Sequence, residues 1–91
     1  MKLTSEEWRA LIAARIRDAR RESGFSQNTL AVALGLHPMT ISKWERCLVT
    51  PSIESLVDVE EELGVRKEWI LTGEGKMRKG RAGDEATQSV G

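Results

Sequence analysis

The residues of this 91-residue chain best placed to do chemistry lie within Ser26–Arg46, SQNTLAVALGLHPMTISKWER. Their chemistry is reversible contact rather than bond making. Lys43 can donate to the O6 or N7 of a guanine. Thr40 can donate, accept, or set its methyl against a thymine methyl, and Met39 offers only apolar contact, most naturally to thymine methyls. Pro38 has no donor and can only shape the surface. Ser26, Gln27 and Asn28 fall where a helix would begin, and the unpaired amides of a helix start attract anions such as phosphate. Arg46 is expected to take a phosphate at the far end, while His37 either contacts phosphate or caps a helix. Catalysis is poorly served. His37 is the sole histidine and Cys47 the sole cysteine, which argues against a Ser-His-Asp triad, a clustered zinc site or an internal disulfide framework. With no nucleophile–base pair and no phosphate-cradling glycine loop, neither an enzyme nor a cofactor is expected.

Two short helices and a turn must position these groups. The first is predicted over Gln27 to Leu34, with Ser26 as its N-cap, because a short hydroxyl side chain can accept from an orphan amide of the first turn. Gly35 follows, where a left-handed backbone ends a helix at little steric cost. The second starts at Pro38, suited to the first helical position because its missing N–H has no partner there anyway, and ends near Arg46. Leu30, Ala31, Leu34, Leu36, Ile41 and Trp44 hold the unit together, and the small Ala31 allows a close crossing. Gln27, Asn28, Met39, Thr40, Lys43 and Arg46 lie on the other face. This is a helix-turn-helix over residues 26–46, a unit whose second helix can lie in a DNA major groove with its N-terminal residues at the base edges.

The run resembles the lambda-repressor-like (Cro/cI, Xre family) helix-turn-helix proteins. Their pattern is an Arg-rich first helix, S-Q-x-x-L-A-x-x-L-G-L, I-S-x-W-E, a Pro and a further helix. The chain carries Ile16-Arg17, Arg20, Gly24, Ser26-Gln27, Leu30-Ala31, Leu34-Gly35-Leu36, Ile41-Ser42, Trp44-Glu45 and Pro51 at that spacing, and the likeness continues to Trp69-Ile70-Leu71-Thr72-Gly73-Glu74-Gly75. It covers about residues 12–75. The resemblance implies an all-α, compact five-helix DNA-binding domain that grips phosphate near Ser26 and Gln27. It also implies an ion pair between Arg20 and Glu45, against the alternative that Arg20 is one more phosphate contact. One departure stands out. The family commonly has Gly where this chain has Cys47, so Cys47 must either accept a left-handed backbone or alter the exit from the helix.

The rest of the chain supplies the frame. A first helix is predicted over Ser5 to Glu22, opened by Thr4-Ser5-Glu6-Glu7 at capping-box spacing, with Trp8, Leu11, Ile12, Ile16 and Ala19 as its core stripe. Trp8 has two readings, packing on the domain or touching a partner, and the first is preferred. Phe25 is expected to plug the junction to the next helix. A fourth helix is predicted over Ile53 to Leu63, capped by Ser52, with Ile53, Leu56, Val57, Glu60 and Leu63 near one face and Val59 off it. A short fifth runs about Arg66 to Leu71. Trp69, Ile70 and Leu71 are consecutive and cannot all face one core, so they are candidates for a homodimer interface; the alternative is that Trp69 caps the core and Ile70 is a scattered surface residue. Residues 1–75 are assigned to the domain. Residues 76–91, rich in Gly and charge, are expected to be a flexible, disordered tail.

The formal net charge is zero, unusual for a DNA binder, but its distribution is uneven. Residues 1–46 carry eight Lys and Arg against five Asp and Glu, residues 47–74 carry two against seven, and residues 75–91 carry four against two. An acidic half facing away from DNA would help orient the approach, though it serves solubility equally well. The loop after the second helix of the unit lacks Lys and Arg, so the salt dependence of binding should be shallower than in strongly basic relatives. No apolar run approaches the ~20 residues of a membrane span, and the charged N-terminus has no signal-peptide core; a cytoplasmic protein is expected. The expected function is sequence-specific binding of double-stranded DNA as a homodimer on a palindromic operator, as a phage-type or stand-alone repressor. The alternative is an antitoxin-like or adaptor protein that binds a protein partner through its tail or its first-helix extension.

Overall fold

In the computed structural model, which describes residues 2–78, five helices follow one another: α1 (Ser5–Glu22), α2 (Gln27–Leu34), α3 (Pro38–Glu45), α4 (Ile53–Leu63) and α5 (Lys67–Thr72). Among the described residues no β-strand forms. The architecture is the expected all-α, five-helix arrangement. No helix among them is long and apolar enough to cross a membrane.

Local chemistry sets most boundaries. Thr4 Oγ1 accepts from the Glu7 amide at 3.1 Å while Glu7 Oε1 accepts from the Thr4 amide at 2.9 Å, so each of two orphan amides at the start of α1 is satisfied by the other residue's side chain. Ser52 caps α4, its Oγ accepting from the Ser55 amide at 3.1 Å. No side-chain cap opens α5 from Arg66. Instead the carboxylate of Glu60, reaching across from α4, accepts from the Lys67 amide at 2.7 Å.

The core lies where all five helices meet. Ile16 of α1, Leu30 of α2, Ile41 of α3, Val59 of α4 and Ile70 of α5 are fully buried, each contributing roughly 1.5–3 kcal/mol of apolar transfer. Phe25 packs against this cluster as expected. Two helices are rotated from their predicted faces. On α1 the buried stripe is Ile12, Ala13, Ile16, Ala19 and Arg20, while Trp8 and Leu11 stay 40% and 37% exposed. On α4 it is Leu56, Val59, Glu60 and Leu63, the i, i+3, i+4, i+7 set of one helical face. Val59 is therefore core rather than off-face, and Ile53, on the first turn, is 64% exposed.

Ile70 requires a correction. It is fully buried in the protomer's own core, so it has no surface to offer a second copy, whereas Trp69 and Leu71 flank it half-buried against the same cluster. The domain also runs beyond the predicted boundary at residue 75. Met77 packs on the core and its carbonyl accepts from the Arg66 amide at 2.8 Å. Arg78 pairs with the buried Val65 in an isolated antiparallel bridge, and its guanidinium donates to the Leu63 carbonyl at 2.7 Å and to Ser23 Oγ at 3.0 Å. The remainder of the expected tail, 79–91, lies outside the described residues.

Candidate nucleic-acid interface

Ser26 takes an extended backbone, and its Oγ accepts from the Thr29 amide at 3.0 Å. Thr29 Oγ1 accepts in return from the Ser26 amide at 2.8 Å. Thr29 was not anticipated in this role; the signal is the S-x-x-T spacing, equivalent to the S-x-x-E of a capping box. With the third amide satisfied, those of Gln27 and Asn28 remain without intrahelical partners at the open end of α2. Gly35 closes the helix at φ 69°, and the Leu36 amide returns to the Ala31 carbonyl at 2.8 Å. That tight return, over the fully buried Ala31, turns the chain into α3.

His37 is the N-cap of α3: its Nδ1 accepts from the Met39 amide at 3.0 Å. Pro38 takes the first helical position as expected. Ile41, Trp44 and Glu45 turn inward. Met39, Lys43 and Arg46, at i, i+4 and i+7, therefore follow one another along the outward side of α3 and are exposed, with Thr40 half-buried beside them and Pro38 half-buried at the helix start. The Arg46 guanidinium lies back along this row, its Nη2 3.9 Å from Met39 Sδ.

A buried fork fixes this unit to α1. Arg20 Nε donates to Glu45 Oε2 at 2.6 Å and its Nη2 to Oε1 at 2.8 Å. Its Nη1 donates to the Phe25 carbonyl at 2.9 Å. Both residues are under a tenth exposed, so the geometry is that of the ion pair the family likeness implies rather than of a phosphate contact. Gln27 Nε2 adds a third bond to Glu45, at 3.1 Å. Burial pushes the Glu45 carboxyl up, but the hydrogen bonds from Arg20 and Gln27 and the charges of Arg20 and Arg17 outweigh it and hold the group below the ordinary carboxylate value. Arg17 entered the sequence reading only as part of the Ile16-Arg17 match; its charge acting on Glu45 was not anticipated, and its place one turn before Arg20 on α1 is the signal that could have found it.

The fork and the Gln27 bond bring the first residue of α2 to Glu45, in the last turn of α3. His37 stands at the opposite end of α3, with Met39, Thr40 and Lys43 between. Gln27 is both a strut and a surface group, since one amide hydrogen is engaged by Glu45 and a second remains. Beyond α3, Cys47 takes the left-handed backbone at φ 63°, the first of its two predicted options, and its Sγ donates weakly to the Arg9 carbonyl at 3.7 Å. The loop surface that follows is apolar, with Leu48 61% and Val49 49% exposed.

Comparison with known proteins agrees with this construction. The family model for helix-turn-helix proteins, HTH_3, matches residues 16–70. Among solved structures, the chain resembles the P22 c2 repressor protein, solved in complex with a synthetic operator, at 30% identity and a TM-score of 0.66 over 70% of this chain and 97% of that one. It resembles the clp gene regulator ClgR of Corynebacterium glutamicum at 28% identity and a TM-score of 0.67, over 91% of this chain and 81% of that one. It shares its fold with the restriction-modification controller protein C.AhdI of Aeromonas hydrophila, at 24% identity and a TM-score of 0.64 over 68% and 94% of the two chains. With the family model matched over more than half of the chain, the protein belongs to the HTH_3 family of helix-turn-helix proteins and is a DNA-binding regulator, not an enzyme.

Proposed function

We propose that this protein is a transcriptional repressor that binds a palindromic operator in cytoplasmic double-stranded DNA as a homodimer, with one α3 in each half-site. The observation that carries the reading is the outward row on α3, anchored by the Arg20–Glu45 fork. Met39, Thr40 and Lys43 read base edges in the major groove, Lys43 as donor to guanine and Met39 against thymine methyls. Pro38 shapes the approach. Ser26, Gln27, Asn28, Arg46 and His37 hold phosphates at the two ends of that row, and such contacts position without specifying. With no Arg or Gln among the base-reading positions Pro38, Met39, Thr40 and Lys43, direct bonds per half-site are few and DNA shape carries a larger share of the specificity. No cofactor is needed for this chemistry. The P22 c2 repressor, similar to this chain, was solved on an operator, which supports the same use here.

In a dimer on such a site the two α3 helices stand about 34 Å apart. Trp69 and Leu71 supply the interface, without Ile70. Selection of duplexes from a random pool, with sedimentation of the complex, tests both halves of the proposal: a two-fold symmetric consensus bound by two chains is expected. A second reading, an adaptor or antitoxin-like protein that docks a protein partner, is favoured by one observation, the exposure of Trp8 and Leu11 on the extension of α1. It predicts that Trp8→Ala abolishes partner binding and leaves DNA affinity intact.

A further inference from the structure

We infer that α1, which lies outside the helix-turn-helix, adds a phosphate contact of its own: the Arg17 guanidinium grips the DNA backbone beside Gln27 and Arg46. The inference rests on the DNA-binding reading above and adds a residue to it. Arg17 stands one turn before Arg20 on α1. Residues three apart on a helix are neighbours on its surface, and helical side chains lean toward the N-terminus, so Arg20 reaches over the turn that Arg17 occupies. Arg20 directs that reach to Glu45, with two bonds, and to the Phe25 carbonyl. Arg17 is thereby held next to the fork, and its charge is felt at the Glu45 carboxylate. Gln27 is bonded to the same carboxylate, and Arg46 follows Glu45 in the chain.

Charge at this junction does not cancel. One carboxylate faces two guanidinium groups, and both of its oxygens are already engaged by Arg20 and Gln27. On α1 the residues one turn from Arg17 are Ala13, Ala14, Arg20 and Arg21, none of them acidic. Asp18 and Glu22, four apart, share a different face of the helix. Helix α2 carries no ionisable side chain, and on α3 the only other one is the cation Lys43. Among the described residues the Arg17 guanidinium therefore has no hydrogen bond and no ion pair. The side chains of Lys2, Arg9, Arg21, Lys43 and Lys76 are also without one, but these residues are exposed, whereas Arg17 is half-buried. None of its nitrogens is buried without a partner, so the stem packs while the head reaches the surface. A guanidinium held in this way loses less freedom on binding, and its planar fork matches two phosphate oxygens. The chain beyond α3 leaves this contact to α1, because the segment from Cys47 to Ile53 has no Lys or Arg.

The test measures fluorescence anisotropy of the full chain on matched and scrambled duplexes, at salt stepped from about 0.05 to 0.2 M. Wild type is compared with Arg17→Gln, which keeps most of the stem, with Arg17→Lys, and with Lys76→Ala as a control for net charge. Urea unfolding of each variant separates binding from stability. Arg17→Gln is expected to reduce the slope of log affinity against log salt by about 1, so that its deficit against wild type shrinks roughly three- to fourfold across that range. The reduction should be the same on both duplexes, because a phosphate contact carries no sequence information. Arg17→Lys should restore the slope, and Lys76→Ala should leave it at the wild-type value. Weakened binding by Arg17→Gln with an undiminished slope would make Arg17 a support for Glu45 alone and overturn the inference. So would an equal loss of slope in Lys76→Ala, or a loss confined to one duplex. Wild type that binds neither duplex would sink the DNA-binding reading itself, whereas wild-type binding matched in full by Arg17→Gln would sink only this contact.

Discussion

The guanidinium of Arg20 and the carboxylate of Glu45 close a two-bonded fork at 2.6 and 2.8 Å, with Gln27 as a third partner at 3.1 Å. These few atoms tie α1, α2 and α3 together at a point under a tenth exposed. Removing one member of such a pair strands the other charge in the interior, which costs more than the pair itself contributes. Arg20→Ala and Glu45→Ala are each expected to destabilise the domain by about 3 kcal/mol, read as a lowered urea midpoint. Arg20→Met combined with Glu45→Leu should recover much of that loss, because no charge is left unpaired.

Stability should fall in acid for the same reason. The folded-state Glu45 carboxyl sits below its ordinary value of 4.5. A group depressed on folding contributes stability that is present above its unfolded value and is lost as pH falls through the folded one. Unfolding free energy should therefore be flat above about pH 5 and decline below about pH 4.5. In Glu45→Gln the decline should be shallower. Urea unfolding at stepped pH checks both curves.

Cys47 is the one described non-glycine residue with positive φ, at 63°. A side chain held there costs on the order of 1 kcal/mol, and its weak bond to the Arg9 carbonyl at 3.7 Å offsets little of it. Cys47→Gly is expected to raise stability by about 0.5 kcal/mol, with DNA affinity unchanged. A thermal melt and one binding isotherm suffice to check it.

Phosphate and base contacts should separate cleanly. Arg46→Ala is expected to weaken binding on every duplex and to reduce the slope of log affinity against log salt by about 1. Lys43→Ala should instead cost about 1–3 kcal/mol on the preferred sequence and much less on unrelated ones. Salt titrations on matched and scrambled duplexes distinguish the two behaviours.

Much of this was legible in the chain itself. The capping residues Thr4, Ser26 and Ser52, the glycine at residue 35 and Pro38 act over three or four residues, so local spacing was enough to place α1, α2 and α4 and the start of α3. The Arg20–Glu45 pair came from the family likeness; no local pattern would have joined residues 25 positions apart. What escaped depended on where the core lies in space. Trp8 and Leu11 share the helical period of Ile12 and Ile16 but stand 40% and 37% exposed. Val59 and Ile53 exchange roles because the buried face of α4 is centred on Leu56, Val59 and Leu63. Ile70 could not be told from its neighbours in a three-residue apolar run, and the return of Met77 and Arg78 onto Val65 and Leu63 is a long-range pairing with no motif of its own.

The central claim is that α3 reads DNA sequence through Met39, Thr40 and Lys43. Enrichment of duplexes from a random pool, repeated with Met39→Ala and Lys43→Ala, tests it most directly. The account predicts a two-fold symmetric motif from the wild-type chain, loss of thymine preference at one position with Met39→Ala, and loss of guanine preference at another with Lys43→Ala. A pool that yields no motif, or one unchanged by both substitutions, would contradict it.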